Sequence, residues 1–97
     1  MPASVKELTD KVASADAILF ATPEYNYSYS GVLKNAIDWA SRGSPSPFAG
    51  KAAAVMGAGG GMGTSRAQYH VRQVGVFLDL HFVNKPEVTV NVSHSPI

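Results

Sequence analysis

Apolar positions in this chain recur with two different periods, and the switches between them divide it into elements. Val5, Leu8, Val12 and Ala15 are spaced as one helical stripe behind a Ser4–Glu7 pair. Ser-x-x-Glu is the capping-box pattern, so a helix is predicted from about Ser4 until Asp16 ends it. Ala17-Ile18-Leu19-Phe20-Ala21 is then apolar throughout. A run without period-2 alternation predicts a strand covered on both faces of a parallel sheet. Helical spacing returns from about Val32 to Ser41, with Leu33, Ala36, Ile37 and Ala40 on one side and Lys34, Asn35 and Asp38 on the other.

Arg42 to Pro47 has two prolines and no periodic pattern, which predicts a surface loop, with Phe48 anchoring its far end. Lys51 to Met56 predicts a second strand, whose alanines let helices pack close. After the glycine run Gly57 to Gly63, Ser65 and Gln68 form another capping box. The helix they open carries Ala67, Val71, Val74 and Leu78 on its apolar face. Leu80 to Val83 predicts a third strand, interrupted by Pro86, and Thr89 to Val92 a short extension.

Helix, strand, helix, strand, helix, strand implies right-handed crossovers and a parallel sheet, hence the α/β class. The strand at 17–21 is expected beside 51–56, and 51–56 beside 80–84. Ninety-seven residues make a single domain. A formal charge of +1, from eight basic and seven acidic residues spread along the chain, gives no footprint for nucleic acid. The absence of cysteine excludes disulfides, thiolate catalysis and cysteine metal sites. No apolar run approaches the roughly 20 residues of a membrane span, and the first residues do not resemble a signal peptide. A cytoplasmic protein is the expectation.

The chemistry concentrates after the first strand. Thr22 to Gly31 holds three tyrosines, one carboxylate, one amide and two serines within ten residues. In an open α/β sheet such a loop borders the ligand crevice at the strands' carboxyl ends. Flat rings and scattered hydrogen-bonding groups with little charge suit a planar heteroaromatic ligand better than a metal or a phosphate. By itself a tyrosine-rich loop after a strand is more often a packed corner than a ligand site. The glycine run fails the dinucleotide fingerprint, because Met62 stands at the third glycine position, and it lacks the Gly-Lys-Ser/Thr ending of a P-loop. Taken alone it reads as a flexible turn. His70, His81 and His94 are too scattered for a metal site, and no Ser/His/Asp triad suggests itself. Lys34, Asp38, Trp39 and His70 read as helix surface.

Thr-Pro-Glu-Tyr-Asn-x-Ser-x-x-Gly-x-Leu-Lys-Asn-Ala-Ile-Asp-Trp, from Thr22 to Trp39, resembles the signature of the NADPH-dependent FMN reductase family. Residues 5–90 resemble the C-terminal part of such proteins, the plant-type quinone reductases most of all. The resemblance implies a flavodoxin-like three-layer parallel sheet, incomplete at its N-terminal side, with about three strands and three helices. It implies an FMN-dependent NAD(P)H:quinone oxidoreductase using NADPH or NADH, with a quinone-like acceptor and the flavin carrying the chemistry. Pro23, Glu24, Tyr25, Asn26 and Tyr27 match the loop beside the flavin ring, Glu24 in a positioning role. Gly59, Gly60, Gly61 and Ser65 match a second flavin-contacting loop. Arg66, Tyr69 and Glu87 match residues at a tetramer interface in bacterial members, so a homo-oligomer, dimer or tetramer, is expected. The family's first strands and phosphate loop have no counterpart here, which leaves 17–21 as an edge strand. A non-catalytic truncated subunit that associates with full-length chains is the alternative reading, and a glycine-loop nucleotide module a third.

Overall fold

The computed structural model describes residues 1–93, so His94 lies outside the described residues. The elements run α1 (Ala3–Ser14), β1 (Ala17–Ala21), α2 (Gly31–Ala40), β2 (Ala52–Gly59), α3 (Ser65–Leu78), β3 (His81–Phe82) and β4 (Val88–Asn91). β1 pairs with β2 in parallel, Ala17 opposite Ala52 and Ala21 opposite Met56. On its other side β2 meets two short strands in turn. His81 and Phe82 lie opposite Ala52 and Ala53, and Val88 to Asn91 opposite Met56 to Gly59, all parallel. β3 and β4 thus flank one strand, with the stretch around Pro86 leaving the ladder between them. This is the parallel open sheet that the flavodoxin-like resemblance implies.

Three local expectations change. The Ser4–Glu7 box does not form. The Pro2 carbonyl accepts from Val5 N and Lys6 N, so α1 starts one residue earlier with Ser4 already inside it, and it ends at Ser14 with Ala15 extended. The second strand is longer than 51–56, because β4 supplies partners for Gly57, Ala58 and Gly59. The third is shorter than 80–84, two residues, while the extension near 89–92 is a strand in its own right at Val88–Asn91.

The core also differs from the reading of 17–21 as covered on both faces. Val12 of α1, Ile37 and Ala40 of α2, and Val71 and Leu78 of α3 join Phe20, Ala53, Val55, Phe48 and Leu80 in one cluster. All three helices therefore contribute to the same side of the sheet. Phe48 anchors its loop in that core as expected, and Phe20 stacks on Phe82 with ring centroids 6.0 Å apart. On the opposite face Ala17, Leu19, Ala21, Ala52, Met56, Ala58, Val83, Val88 and Val90 are exposed, Leu19 by 60%. The described residues make two of the three layers. β1 has one strand neighbour, so the expected edge at 17–21 is present.

Candidate functional site

β1 and β2 are parallel, so the segments that follow them leave from the same edge of the sheet. Thr22 N donates to Met56 O at 3.0 Å, carrying the ladder one residue past β1. Its hydroxyl is turned back onto the Pro23 carbonyl at 2.8 Å. Tyr25 and Ser28 then close a two-residue turn, each amide donating to the other's carbonyl at 2.8 and 3.0 Å. The central residues, Asn26 and Tyr27, have φ of 51° and 68°. Positive φ at both positions is the pattern of a type I′ turn, where tyrosine replaces the glycine usually favoured. The strained turn presents its rings outward: Tyr25 and Tyr27 are 61% and 63% exposed. Ser30 caps α2 by accepting from Leu33 N at 3.1 Å.

The second loop is shorter than its glycine content suggests, since Gly57 and Gly59 belong to β2. Gly63 N donates to Gly60 O at 3.1 Å, and Asn91 Nδ2 reaches Gly61 O at 2.6 Å, pinning the turn to β4. Gly61 and Gly63 have φ of 58° and 61°, which glycine adopts without strain. A Cβ at Gly60 or Gly61 would meet nothing within 4 Å, so open space lies beside this backbone.

The Ser65–Gln68 box does not form either. The residue before α3 is Thr64, in the left-handed region, and it makes no side-chain cap. Glu24 supplies the cap from the other loop, its Oε1 accepting from Ala67 N at 2.9 Å. Gln68 is buried instead, its Nε2 donating to Thr64 Oγ1 at 3.0 Å and to Val88 O at 2.9 Å. Thr64 and Gln68 form a buried polar knot beneath the two loops beside the buried Thr22, all three at most 3% exposed. The cap joins residues 43 apart and the Gln68–Val88 bond residues 20 apart, which is why spacing reveals neither.

The candidate residues are distributed accordingly. Pro23 and Glu24 are half-buried, and Tyr25, Asn26 and Tyr27 form the exposed turn. Gly59 ends β2, Gly60 and Gly61 form the second turn, and Ser65 is the first residue of α3. Of Arg66, Tyr69 and Glu87, the last two are joined, the Tyr69 hydroxyl donating to the Glu87 carboxylate. Arg66 turns to the signature loop instead, its guanidinium 4.2 Å from the Tyr27 ring centroid. His70 Nδ1 lies 2.8 Å from Ser28 Oγ, a contact across 42 residues. Lys34 pairs with Asp38 at 2.8 Å on the surface of α2, as its spacing implies.

The Glu87 hydrogen bond and then its charge raise the Tyr69 pKa above the ordinary 10.0. The neutral phenol is the donor, so its contribution to stability is complete below pH 10 and is lost as pH rises through the higher folded-state value. Ultraviolet titration should place the Tyr69 midpoint above the ordinary 10.0, and Glu87→Gln should bring it down. An unchanged midpoint in that variant would show the bond to be absent.

A flavin ring offers two flat faces and one edge of carbonyl and nitrogen acceptors. Flat apolar surface is present in Tyr25, Tyr27 and the exposed Met62. The backbone amides of Asn26, Tyr27, Gly61 and Met62 donate to no group of the described residues, which leaves them for such acceptors. The donor set fits the ring. Among the described residues no three His, Asp or Glu side chains gather as metal ligands, and no helix is long and apolar enough to cross a membrane.

The model of the family described as NADPH-dependent FMN reductase matches residues 1–95. An NAD(P)H:quinone oxidoreductase of Solanum tuberosum is 59% identical over 95 residues, 98% of this chain and 48% of that protein. An NAD(P)H-dependent FMN reductase of Pseudomonas aeruginosa is 60% identical over 91 residues, 93% of this chain and 49% of that protein. The chain thus spans about half the length of the curated relatives it matches. Among solved structures, the flavoenzyme NAD(P)H:(acceptor) oxidoreductase FerB of Paracoccus denitrificans superposes with a TM-score of 0.84 at 40% identity, covering 90% of this chain and 49% of that one.

Proposed function

This chain belongs to the NADPH-dependent FMN reductase family, and on that premise we propose that it forms the ring-contacting part of an FMN-dependent NAD(P)H:quinone oxidoreductase. One observation carries the reading: the signature loop and the glycine-rich turn leave the same sheet edge, and Glu24 bonds the loop to Ala67 in the first turn of α3, the helix that the glycine-rich turn leads into. Two walls of a cleft are thereby fixed to one another. When bound, FMN supplies the chemistry that passes a hydride from NAD(P)H to the acceptor, so that with one proton a quinone becomes a hydroquinone. The chain's part is to bind and orient. Tyr25 and Tyr27 offer ring surface, and the free amides of Asn26, Tyr27, Gly61 and Met62 offer donors. Pro23, Gly59 and Gly60 shape the backbone around them, and Ser65 stands at the start of α3. No side chain here is assigned a proton-transfer role.

The bare sheet face and the β1 edge favour a second reading, a non-catalytic subunit that associates with longer chains of the family. An apolar edge and face of this kind favour association in either case. A homo-oligomer using the Arg66, Tyr69 and Glu87 surface belongs to the proposal as well. Sedimentation across micromolar concentrations should give a dimer or larger species, and a clean monomer would remove that part. Yellow colour and FMN absorbance after purification, with NADPH-dependent quinone reduction, separate the catalytic reading from the non-catalytic one. A colourless chain that stays inactive with added FMN would leave the second.

A further inference from the structure

The first turns of α3 meet the signature loop at three places, through Glu24 to the Ala67 amide, Tyr27 to Arg66 and Ser28 to His70. The last two are surface contacts between side chains. The first is different in kind. Ala67 N belongs to the opening turn of α3, where no preceding helical carbonyl exists to accept it. A carboxylate there satisfies that donor and also meets the positive end of the helix. It does so from a half-buried position across 43 residues of sequence.

We propose that Glu24 is a positioning residue whose bond to α3 sets the gap between the signature loop and the glycine-rich turn, and with it the width of the ring-binding cleft. What enters the cleft rests on the flavin reading; the clasp does not. The turn at Tyr25–Ser28 needs such a fixing point. Asn26 and Tyr27 both hold positive φ, which is unfavourable for any residue with a Cβ and persists only where the surroundings enforce it. On the β1 side the chain is held by Thr22 N to Met56 O at 3.0 Å. The next contact made to a backbone group outside the loop is that of Glu24. The turn would otherwise be tied to α3 through Arg66 and His70 alone. The same carboxylate occupies the helix terminus that would attract an anion, so a phosphate is not held at α3 while Glu24 is in place.

Glu24→Gln keeps an acceptor oxygen at the same reach without the charge, and Glu24→Ala removes both. Amide hydrogen exchange, followed by NMR on the flavin-free chain, reads the clasp directly. In the alanine variant the Ala67, Tyr25 and Ser28 amides should exchange about tenfold faster or more, while the β1–β2 ladder is unchanged. In the glutamine variant they should stay within about threefold of the parent. The riboflavin dissociation constant should rise roughly tenfold to a hundredfold in Glu24→Ala and less than about threefold in Glu24→Gln. Unchanged Ala67 exchange in the alanine variant overturns the proposal. So does a glutamine variant that keeps its protection yet loses flavin as badly as alanine, since the charge itself would then be acting on the ligand. Should the parent chain bind no flavin, the functional reading fails and the exchange measurement alone decides the clasp.

Discussion

FMN and riboflavin are expected to bind this chain with dissociation constants within about threefold of each other. A phosphate is recognised by a free helix N-terminus or by basic side chains able to close on it. The start of α3 carries Glu24, and Ser30 caps α2. Arg66 lies over Tyr27, Arg72 Nε donates to Asn84 at 2.9 Å, and Lys51 donates to the Val12 and Ala13 carbonyls at the end of α1. Each charge-assisted bond to a phosphate is worth roughly 1.5–3 kcal/mol. Lacking even about 4 kcal/mol of such contacts weakens binding roughly a thousandfold. Titration followed by flavin fluorescence measures both ligands. Tyr25→Ala and Asn26→Ala should weaken the two alike, and His94→Ala should weaken neither. A hundredfold preference for FMN would overturn this expectation and point to a phosphate site supplied by Arg66 or Arg72 after rearrangement.

Gly57→Ala should lower the unfolding free energy by about 3 kcal/mol. The added Cβ would fall onto Thr64 Oγ1 and lie 2.5 Å from the Thr22 carbonyl oxygen and 2.9 Å from Thr64 Cβ. None of these can step aside cheaply. Thr64 is fully buried and bonded to Gln68, and the Thr22 oxygen is backbone held by the ladder beside it. In a domain of this size such a loss moves the melting temperature down by roughly 15 °C. Circular dichroism measures it, with Gly60→Ala as the comparison, where the new methyl meets nothing within 4 Å. Equal melts for the two variants would show that the polar knot yields.

What the sequence reveals and what it hides follow from how far each interaction reaches. Ile37, Ala40, Val71 and Leu78 announce their burial by helical spacing, and Phe20, Ala53 and Val55 lie under those faces. The Thr22–Trp39 signature points to the family whose model matches residues 1–95. Ser65 and Gln68 have the spacing of a cap, yet Gln68 is drawn inward by Thr64 and the Val88 carbonyl, partners 4 and 20 residues away. Glu24 takes over the cap, a substitution that no local pattern contains. The glycines at 57 and 59 look like loop because β4, their partner, is only four residues long and follows a proline. The run at 17–21 says that its side chains tolerate burial on either face. It does not say what covers them.

A sheet with helices on one face withdraws less apolar surface from water than one held between two layers. Heat-capacity change and denaturant sensitivity both scale with that area. Unfolding of this chain should accordingly be shallow in urea for its length, and its stability curve flat in temperature. Flatness spreads its thermal transition over a wide interval, so a fraction of unfolded chains coexists with folded ones well below the midpoint. Those unfolded chains add their own apolar segments to a solution in which the folded ones already expose Leu19, Met56 and Val83.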